Sequence, residues 1–254
     1  MEATPTYPKR SAPAACARAA FEVACETLWP TRCAVCDASG DLLCDACAAR
    51  LPYIDTWRAC PRCGAPFGRV QCTECNRIML AAGNRERLPV ERMASALVLT
   101  PSARRVVCAY KDQGERRLAA VMARLMARYV PPAWVNSPAE TIITFVPATS
   151  AAVRRRGFDH AEKLANEVAD RLDLECVPTL LRPKSADQRN LSRTERHENM
   201  ARRMAVVPGA TLPKTAIVVD DVCTTGATLY AAADALHEGG AQRVYALTFA
   251  RAWS

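Results

Sequence analysis

Asp220 and Asp221 are adjacent carboxylates, followed closely by a run of small residues, Thr224-Thr225-Gly226-Ala227-Thr228. Two acids side by side repel unless a polar or cationic group sits between or beside them. A sugar diol and a magnesium ion meet that need, since magnesium prefers hard carboxylate oxygens. A turn of small residues feeding a helix N-terminus offers backbone N–H groups and a favourable dipole to an anion. Gly226 lets the backbone approach a phosphate closely, and Thr224, Thr225 and Thr228 add hydroxyl donors. Cys223, inside the motif, reads as a space-filling residue rather than a nucleophile. Two elements position the motif. Ile217-Val218-Val219 is expected as a short buried strand, and Leu229 to Glu238 as a helix closed by Gly239 and Gly240. In open α/β sheets, ligands bind at the carboxyl ends of strands.

A second pattern lies nearer the N-terminus. Four Cys-x-x-Cys pairs, Cys33/Cys36, Cys44/Cys47, Cys60/Cys63 and Cys72/Cys75, hold eight of the thirteen cysteines. Two thiolates separated by two residues grip one tetrahedral zinc, and a second pair completes the shell. Four pairs in tandem read as structural zinc, one ion or two, rather than as a redox dithiol, because a short loop-rich segment has no other source of stability. Sequential pairing gives one site at Cys33, Cys36, Cys44 and Cys47 and another at Cys60, Cys63, Cys72 and Cys75; a crossed arrangement is the alternative. Cys60-Pro61-Arg62-Cys63-Gly64 has the shape of a zinc knuckle, with Gly64 free to take positive φ. Leu43 to Arg50 looks like the first turn of a helix.

At 254 residues, half of them hydrophobic, the chain has room for one large or two modest domains. Its formal charge is +8, and it is unevenly spread. Residues 1–80 hold nine Lys and Arg against eight Asp and Glu, leaving a net +7 for the remainder. A polyanion should prefer that second region. The run from Ser11 to Trp29 is interrupted by Arg18, Glu22 and Glu26, so it is not the clean apolar stretch of an export signal. Nothing later approaches the roughly 20 apolar residues of a membrane span. The expectation is a cytoplasmic protein without membrane insertion, whose cysteines are metal ligands or thiols rather than disulfides.

Three regions follow: a tail and helix over 1–29, a Cys-rich zinc-binding domain over 30–80, and a sheet-forming domain over 81–254. Within the first, residues 1–15 are expected to be disordered and 16–28 helical. Residues 81–92 read as a charged linker, and Ala94 to Thr100 as a strand. Helices are expected over Ser102 to Lys111 and Glu115 to Tyr129, the latter with Leu118, Val121, Met122, Leu125 and Met126 on one face. Thr141 to Val146 is a β-branched strand, closed by Pro147-Ala148-Thr149. The basic run Arg154-Arg155-Arg156 and an amphipathic helix over Asp159 to Leu172 come next. The turn at 147–149, with Arg154 to Arg156 beyond it, is placed to face a pyrophosphate. Residues 182–203, with seven basic and three acidic residues, read as a binding loop or lid. Arg243 to Ala250 makes a final strand. Alternation of strand and helix implies parallel pairing in a doubly wound sheet.

The apolar strand, the two acids and Thr224-Thr225-Gly226-Ala227-Thr228 together resemble the phosphoribosyl pyrophosphate (PRPP) site of type I phosphoribosyltransferases. That resemblance implies an α/β fold with a parallel sheet flanked by helices. It also implies that loop 224–228 holds the 5′-phosphate while Asp220 and Asp221 face the ribose hydroxyls and metal. From Cys33 to Arg251 the chain also resembles the ComF family. The likeness rests on the cysteine ladder, Ala109-Tyr110-Lys111 with Gly114, Arg156-Gly157-Phe158 leading into Ala161-Glu162 and Leu164-Ala165, and the acid pair with its threonine loop. It also includes Gln188, Leu191, Arg193, Glu195, Arg196 and Asn199. This implies a small N-terminal zinc-binding domain joined to a phosphoribosyltransferase-like domain. It further implies partners in single-stranded DNA and the uptake machinery of natural transformation. One departure stands out: the family's usual Asn-Gln after Arg-Gly-Phe is Asp159-His160 here.

Three functions fit. In the first, PRPP with magnesium loses pyrophosphate as an acceptor attacks C1′. Asp220 and Asp221 then lie near the positive charge of the ribose transition state. Lys111, Pro147, Ala148, Arg156 and the basic loop serve the pyrophosphate. In the second, the fold binds nucleic acid through Arg189, Arg193 and Arg196, with Tyr110, Phe158 or Trp253 stacking on bases. In the third, PRPP is sensed without turnover.

Overall fold

Continuous apolar runs such as Ala216-Ile217-Val218-Val219 suit strands covered on both faces, the setting of a parallel sheet. The computed structural model describes residues 30–182 and 204–253. Its strands are β1 (Arg92–Val98), β2 (Thr141–Phe145), β3 (Glu175–Cys176), β4 (Leu180–Leu181), β5 (Ala205–Val206), β6 (Thr215–Cys223) and β7 (Arg243–Arg251). Five of them form one parallel sheet in the order β1-β7-β6-β2-β3. β4 and β5 pair antiparallel beside it. Helices α1 (Asp45–Ala49), α2 (Arg77–Ala82), α3 (Pro101–Lys111), α4 (Leu118–Ala127), α5 (Ser150–Arg156), α6 (His160–Leu172) and α7 (Ala227–Glu238) fill the connections.

The residues form two compact units that divide between Ala48 and Ala49. The first quartet of cysteines lies in the smaller unit, and the second lies with the parallel sheet in the larger. Ala216, Val218, Val244 and Ala246 share one buried cluster with α7 and the second quartet. On the opposite side of the alternating strands, α4 and α6 pack together against β2, β6 and β7. No helix among the described residues is long and apolar enough to cross a membrane.

Several elements differ from expectation for local reasons. β6 does not stop at Val219: it pairs with β7 as far as Cys223 opposite Arg251, so both acids lie within the ladder. The basic run Arg154 to Arg156, for which no element was expected, forms the last turn of α5, which Thr149 starts by accepting from the Ala152 N–H at 3.2 Å. The helix α6 begins at His160, because the Asp159 carboxylate accepts from Ala161 N–H at 2.9 Å and Glu162 N–H at 3.3 Å as its cap. The charged stretch 81–92 is tied down where a free linker was expected: Arg85 pairs with Asp234 of α7 at 2.6 Å. The expectations for residues 1–29, a disordered tail and then a helix, lie outside the described residues, as does the basic stretch from Pro183 to Arg203.

Candidate active site at the carboxyl end of β6

Consecutive strand residues point to opposite faces, and Asp220 and Asp221 follow that rule with different surroundings. Asp221 is buried, and Lys111 at the end of α3 reaches it. Lys111 Nζ donates to Oδ1 at 3.1 Å and stands 2.8 Å from Oδ2 as an ion pair out of line for a second hydrogen bond. His160 Nε2 lies 3.8 Å from the same Oδ2. Burial lowers the basicity of His160, and the Asp221 charge works the other way without cancelling it. Asp220 is half-buried, and its Oδ1 accepts the Asp221 N–H at 2.8 Å. Enclosure by protein, then the neighbouring Asp221 charge, raises the Asp220 carboxyl to about 8.

The loop itself is open. Thr224, Thr225, Ala227 and Thr228 are exposed; the N-cap is Gly226, which has no side chain to offer, and Thr225 Oγ1 accepts the Ala227 N–H of the first turn of α7 at 3.4 Å. Past that long bond, the remaining N–H groups of the first turn have no side-chain cap, the arrangement that suits an anion. Gly226 sits at φ +80°, and a Cβ there would stand 2.7 Å from Tyr230 Cζ, so both conformation and space demand glycine.

The 147–149 turn leaves the sheet beside this site, because β2 neighbours β6 and Val146 N–H bonds the Val219 carbonyl at 3.3 Å. Its polar groups are already engaged. Ala148 N–H donates to Asp159 Oδ2 at 2.7 Å, and Arg182 Nε donates to the Pro147 carbonyl at 2.6 Å. Arg156 pairs with Asp112 at 3.0 Å and approaches His160 Nδ1 at 3.5 Å. Thus Asp220, Asp221, Lys111, Pro147, Ala148 and Arg156 converge on the carboxyl edge of the sheet. Lys111 and Arg156 are held by acids, and the Ala148 N–H by Asp159.

The structure removes Tyr110 from the base-stacking candidates. It is fully buried, and its hydroxyl donates to the His160 carbonyl. Phe158 lies between the edge of Tyr110 and the guanidinium of Arg116, 4.5 Å from its ring centre. Trp253 remains partly exposed, against Phe67. Arg189, Arg193 and Arg196 lie outside the described residues.

The cysteines pair sequentially, in two quartets: Cys33, Cys36, Cys44 and Cys47, and Cys60, Cys63, Cys72 and Cys75. Zinc–sulfur bonds of 2.3 Å set tetrahedral edges of about 3.8 Å. The separations Cys36–Cys44 at 3.8 Å, Cys60–Cys75 at 3.7 Å and Cys63–Cys72 at 3.5 Å fit an ion of that size. Each quartet contains one thiol pulled down. Burial would raise Cys33, but backbone N–H groups of Cys36, Cys44 and Val35 bring it to about 6. Hydrogen bonding from the Cys63 side chain, against burial, brings Cys60 to about 4. Gly64 takes φ +69°, and a Cβ there would stand 2.7 Å from the Met93 carbonyl.

Two residues bearing on these sites carry no motif signal. His160 was visible only as a departure from a related pattern. Arg251 was visible only as a charge ending the apolar run of β7.

Residues 24–79 match the double zinc ribbon domain, and residues 149–252 match the phosphoribosyl transferase domain. No curated protein matches the chain. Among solved structures, the allosteric regulatory enzyme of purine biosynthesis is 18% identical, with a TM-score of 0.36 over 51% of this chain and 25% of its own. Glutamine PRPP amidotransferase from B. subtilis is 16% identical, with a TM-score of 0.35 over 51% of this chain and 26% of its own. Orotate phosphoribosyltransferase from Aeropyrum pernix is 18% identical, with a TM-score of 0.35 over 62% of this chain and 80% of its own. The chain spans about a quarter of the length of the first two.

Proposed function

We propose that this chain, a double zinc ribbon followed by a phosphoribosyl transferase domain, binds PRPP with magnesium at the carboxyl end of β6. The observation that carries the reading is the acid pair leading into an exposed loop and a helix N-terminus whose N-cap is Gly226, within the matched region. Thr224, Thr225, Gly226, Ala227 and Thr228 hold the 5′-phosphate through backbone N–H groups and hydroxyls. Asp220 and Asp221 take the ribose diol, and with His160 they form a donor set whose ligand atoms lie within 4.8 Å of one another. Magnesium there would neutralise charge on the pyrophosphate. Lys111 and Arg156 exchange their acid partners for the leaving group. As the C1′–pyrophosphate bond breaks and the acceptor bonds to C1′, the ring becomes cationic and the Asp221 carboxylate stabilises it, joined by Asp220 where a neighbouring cation holds that carboxyl ionised.

A role of ComF type, assisting single-stranded DNA handling in the cytoplasm, is supported by the order of cysteine ladder, Arg156-Gly157-Phe158 and acid pair. Sensing of PRPP without turnover is favoured by one contact. The bond from Arg182 to the Pro147 carbonyl ties the start of the basic segment 182–203 to the pyrophosphate turn.

Calorimetric titration of the zinc-loaded protein with PRPP and magnesium, beside the Asp220→Asn/Asp221→Asn variant, tests the reading. Binding by the intact protein that is lost in the variant is expected. Equal binding by both would move the ligand elsewhere. Pyrophosphate release with candidate acceptors then separates an enzyme from a sensor.

A further inference from the structure

Arg251 ends β7 with only 1% of its surface exposed. A guanidinium in such a place is strongly disfavoured unless it is paired. Its Nη1 donates to the Cys63 carbonyl at 3.0 Å and to Cys223 Sγ at 3.3 Å, and its Nη2 lies 3.7 Å from Glu74 Oε2. Cys63 belongs to the second quartet, and Glu74 immediately precedes Cys75 of the same quartet. Cys223 is the residue before Thr224 and lies opposite Arg251 in the sheet, with the Ala252 N–H on its carbonyl at 2.8 Å. One buried cation therefore touches both the cysteine knuckle and the root of the phosphate loop.

A second line joins the same two places. Tyr230 packs against the buried cluster that includes Cys60, Cys63, Cys72 and Cys75, and its ring fills the space where a Cβ of Gly226 would stand. Four thiolates around a divalent ion carry a net charge of about −2, and Arg251 is the buried positive group beside them. With the ion in place the guanidinium is held on the Cys63 carbonyl. Loss of the ion is expected to loosen the knuckle, and with it the anchor of the guanidinium beneath Cys223.

We propose that Arg251 is a positioning residue that couples the second zinc quartet to the 224–228 loop, so that zinc at Cys60, Cys63, Cys72 and Cys75 and an anionic sugar phosphate at the loop strengthen each other's binding. This rests on the reading of the loop as a PRPP site. Linkage is reciprocal: if zinc tightens PRPP by some factor, PRPP tightens that zinc by the same factor. The first quartet serves as the internal reference.

The test follows zinc release from the full chain to a chromogenic chelator, with and without saturating PRPP and magnesium. Cys36→Ser assigns the phase belonging to the first quartet. With the equilibrium coupling expressed in the off-rate, PRPP is expected to slow release from the second quartet about tenfold, within the usual range of coupling, and to leave the first unchanged. Arg251→Gln should abolish that protection, speed ligand-free loss of the second zinc, and weaken PRPP in calorimetry. Arg251→Lys, which keeps the charge but not the fork, should restore part of each and carries the test if the glutamine variant does not fold. PRPP that binds the intact protein yet protects neither zinc, or both equally, overturns the coupling. If PRPP does not bind at all, the PRPP reading fails, and ligand-free release then decides the role of Arg251. Faster loss of the second zinc alone in Arg251→Gln, rescued by lysine, sustains the zinc anchor; unchanged release removes it.

Discussion

The two cysteine quartets have the same chemistry and different structural roles. In the first, only Cys33 is buried, and the backbone bonds that shape it are local, such as Cys33 N–H to the Ala38 carbonyl at 2.8 Å and Gly40 N–H to Thr31 at 2.9 Å. In the second, all four cysteines are buried. It has local bonds too, such as Cys60 N–H to the Ala65 carbonyl at 2.8 Å, but others come from afar: Met93 N–H reaches the Arg62 carbonyl at 2.8 Å, and Arg251 reaches the Cys63 carbonyl. The first quartet folds its own short loop. The second is part of the wall behind the candidate active site. A Cys-x-x-Cys ladder announces chelation, but the surroundings decide what the metal holds in place.

The largest effect expected from this contrast is on stability. Cys63→Ser removes a ligand within a buried cluster shared with β6, β7 and α7, and structural zinc contributes folding energy outright. The variant should bind one zinc per chain instead of two and melt roughly 10 °C lower or more. Cys36→Ser, at an exposed cysteine, should also lose one zinc yet leave the main melting transition within about 3 °C. Metal analysis and thermal circular dichroism check both, and equal destabilisation would erase the distinction between the quartets.

Next in size, Asp221→Asn should lower PRPP-dependent pyrophosphate release by at least about 100-fold, the scale of losing one preorganised electrostatic group. It also leaves the Lys111 ammonium without its buried partner. Both zinc ions should remain, since the carboxylate faces α3 and α6 rather than the quartet. Turnover that survives the substitution would show that the acid pair does not carry the chemistry. Gly226→Ala is smaller. Forcing a Cβ against Tyr230 at φ +80° should cost about 1–3 kcal/mol, seen as a lower melting temperature and weaker PRPP binding.

These distinctions were unevenly legible in the sequence. The acid pair, the threonine loop and the cysteine pairs are local motifs, and periodicity located β2, β6, β7 and α6 to within a few residues. β6 ran on past Val219 because pairing with β7 outweighs the low strand preference of Asp, a tertiary effect that no window of sequence contains. The same holds for Arg251. Its neighbours Cys63 and Cys223 are distant in sequence, so a charge at the end of an apolar strand gave no hint of its partners. Spacing left sequential and crossed zinc pairing open, and the fold selected the sequential one.

The smallest effect is expected at Asp159, and it can have the opposite sign. Its two carboxylate oxygens do different work: Oδ1 caps α6 through Ala161 and Glu162, while Oδ2 accepts the Ala148 N–H of the 147–149 turn, a group that the proposed function would offer to the pyrophosphate. A charged acceptor at 2.7 Å competes for that N–H, and its charge repels the incoming pyrophosphate. Asp159→Asn keeps one oxygen for the cap, where asparagine serves as well as aspartate. Its amide NH2 then faces the Ala148 N–H, donor to donor, and releases it. PRPP should bind about three- to tenfold tighter by calorimetry, with zinc release from both quartets unchanged, because the turn lies across the site from Arg251. Weaker binding would instead mean that the carboxylate holds the turn in its binding shape. A change in zinc release would mean that the coupling extends beyond the wall that Arg251 and Tyr230 build.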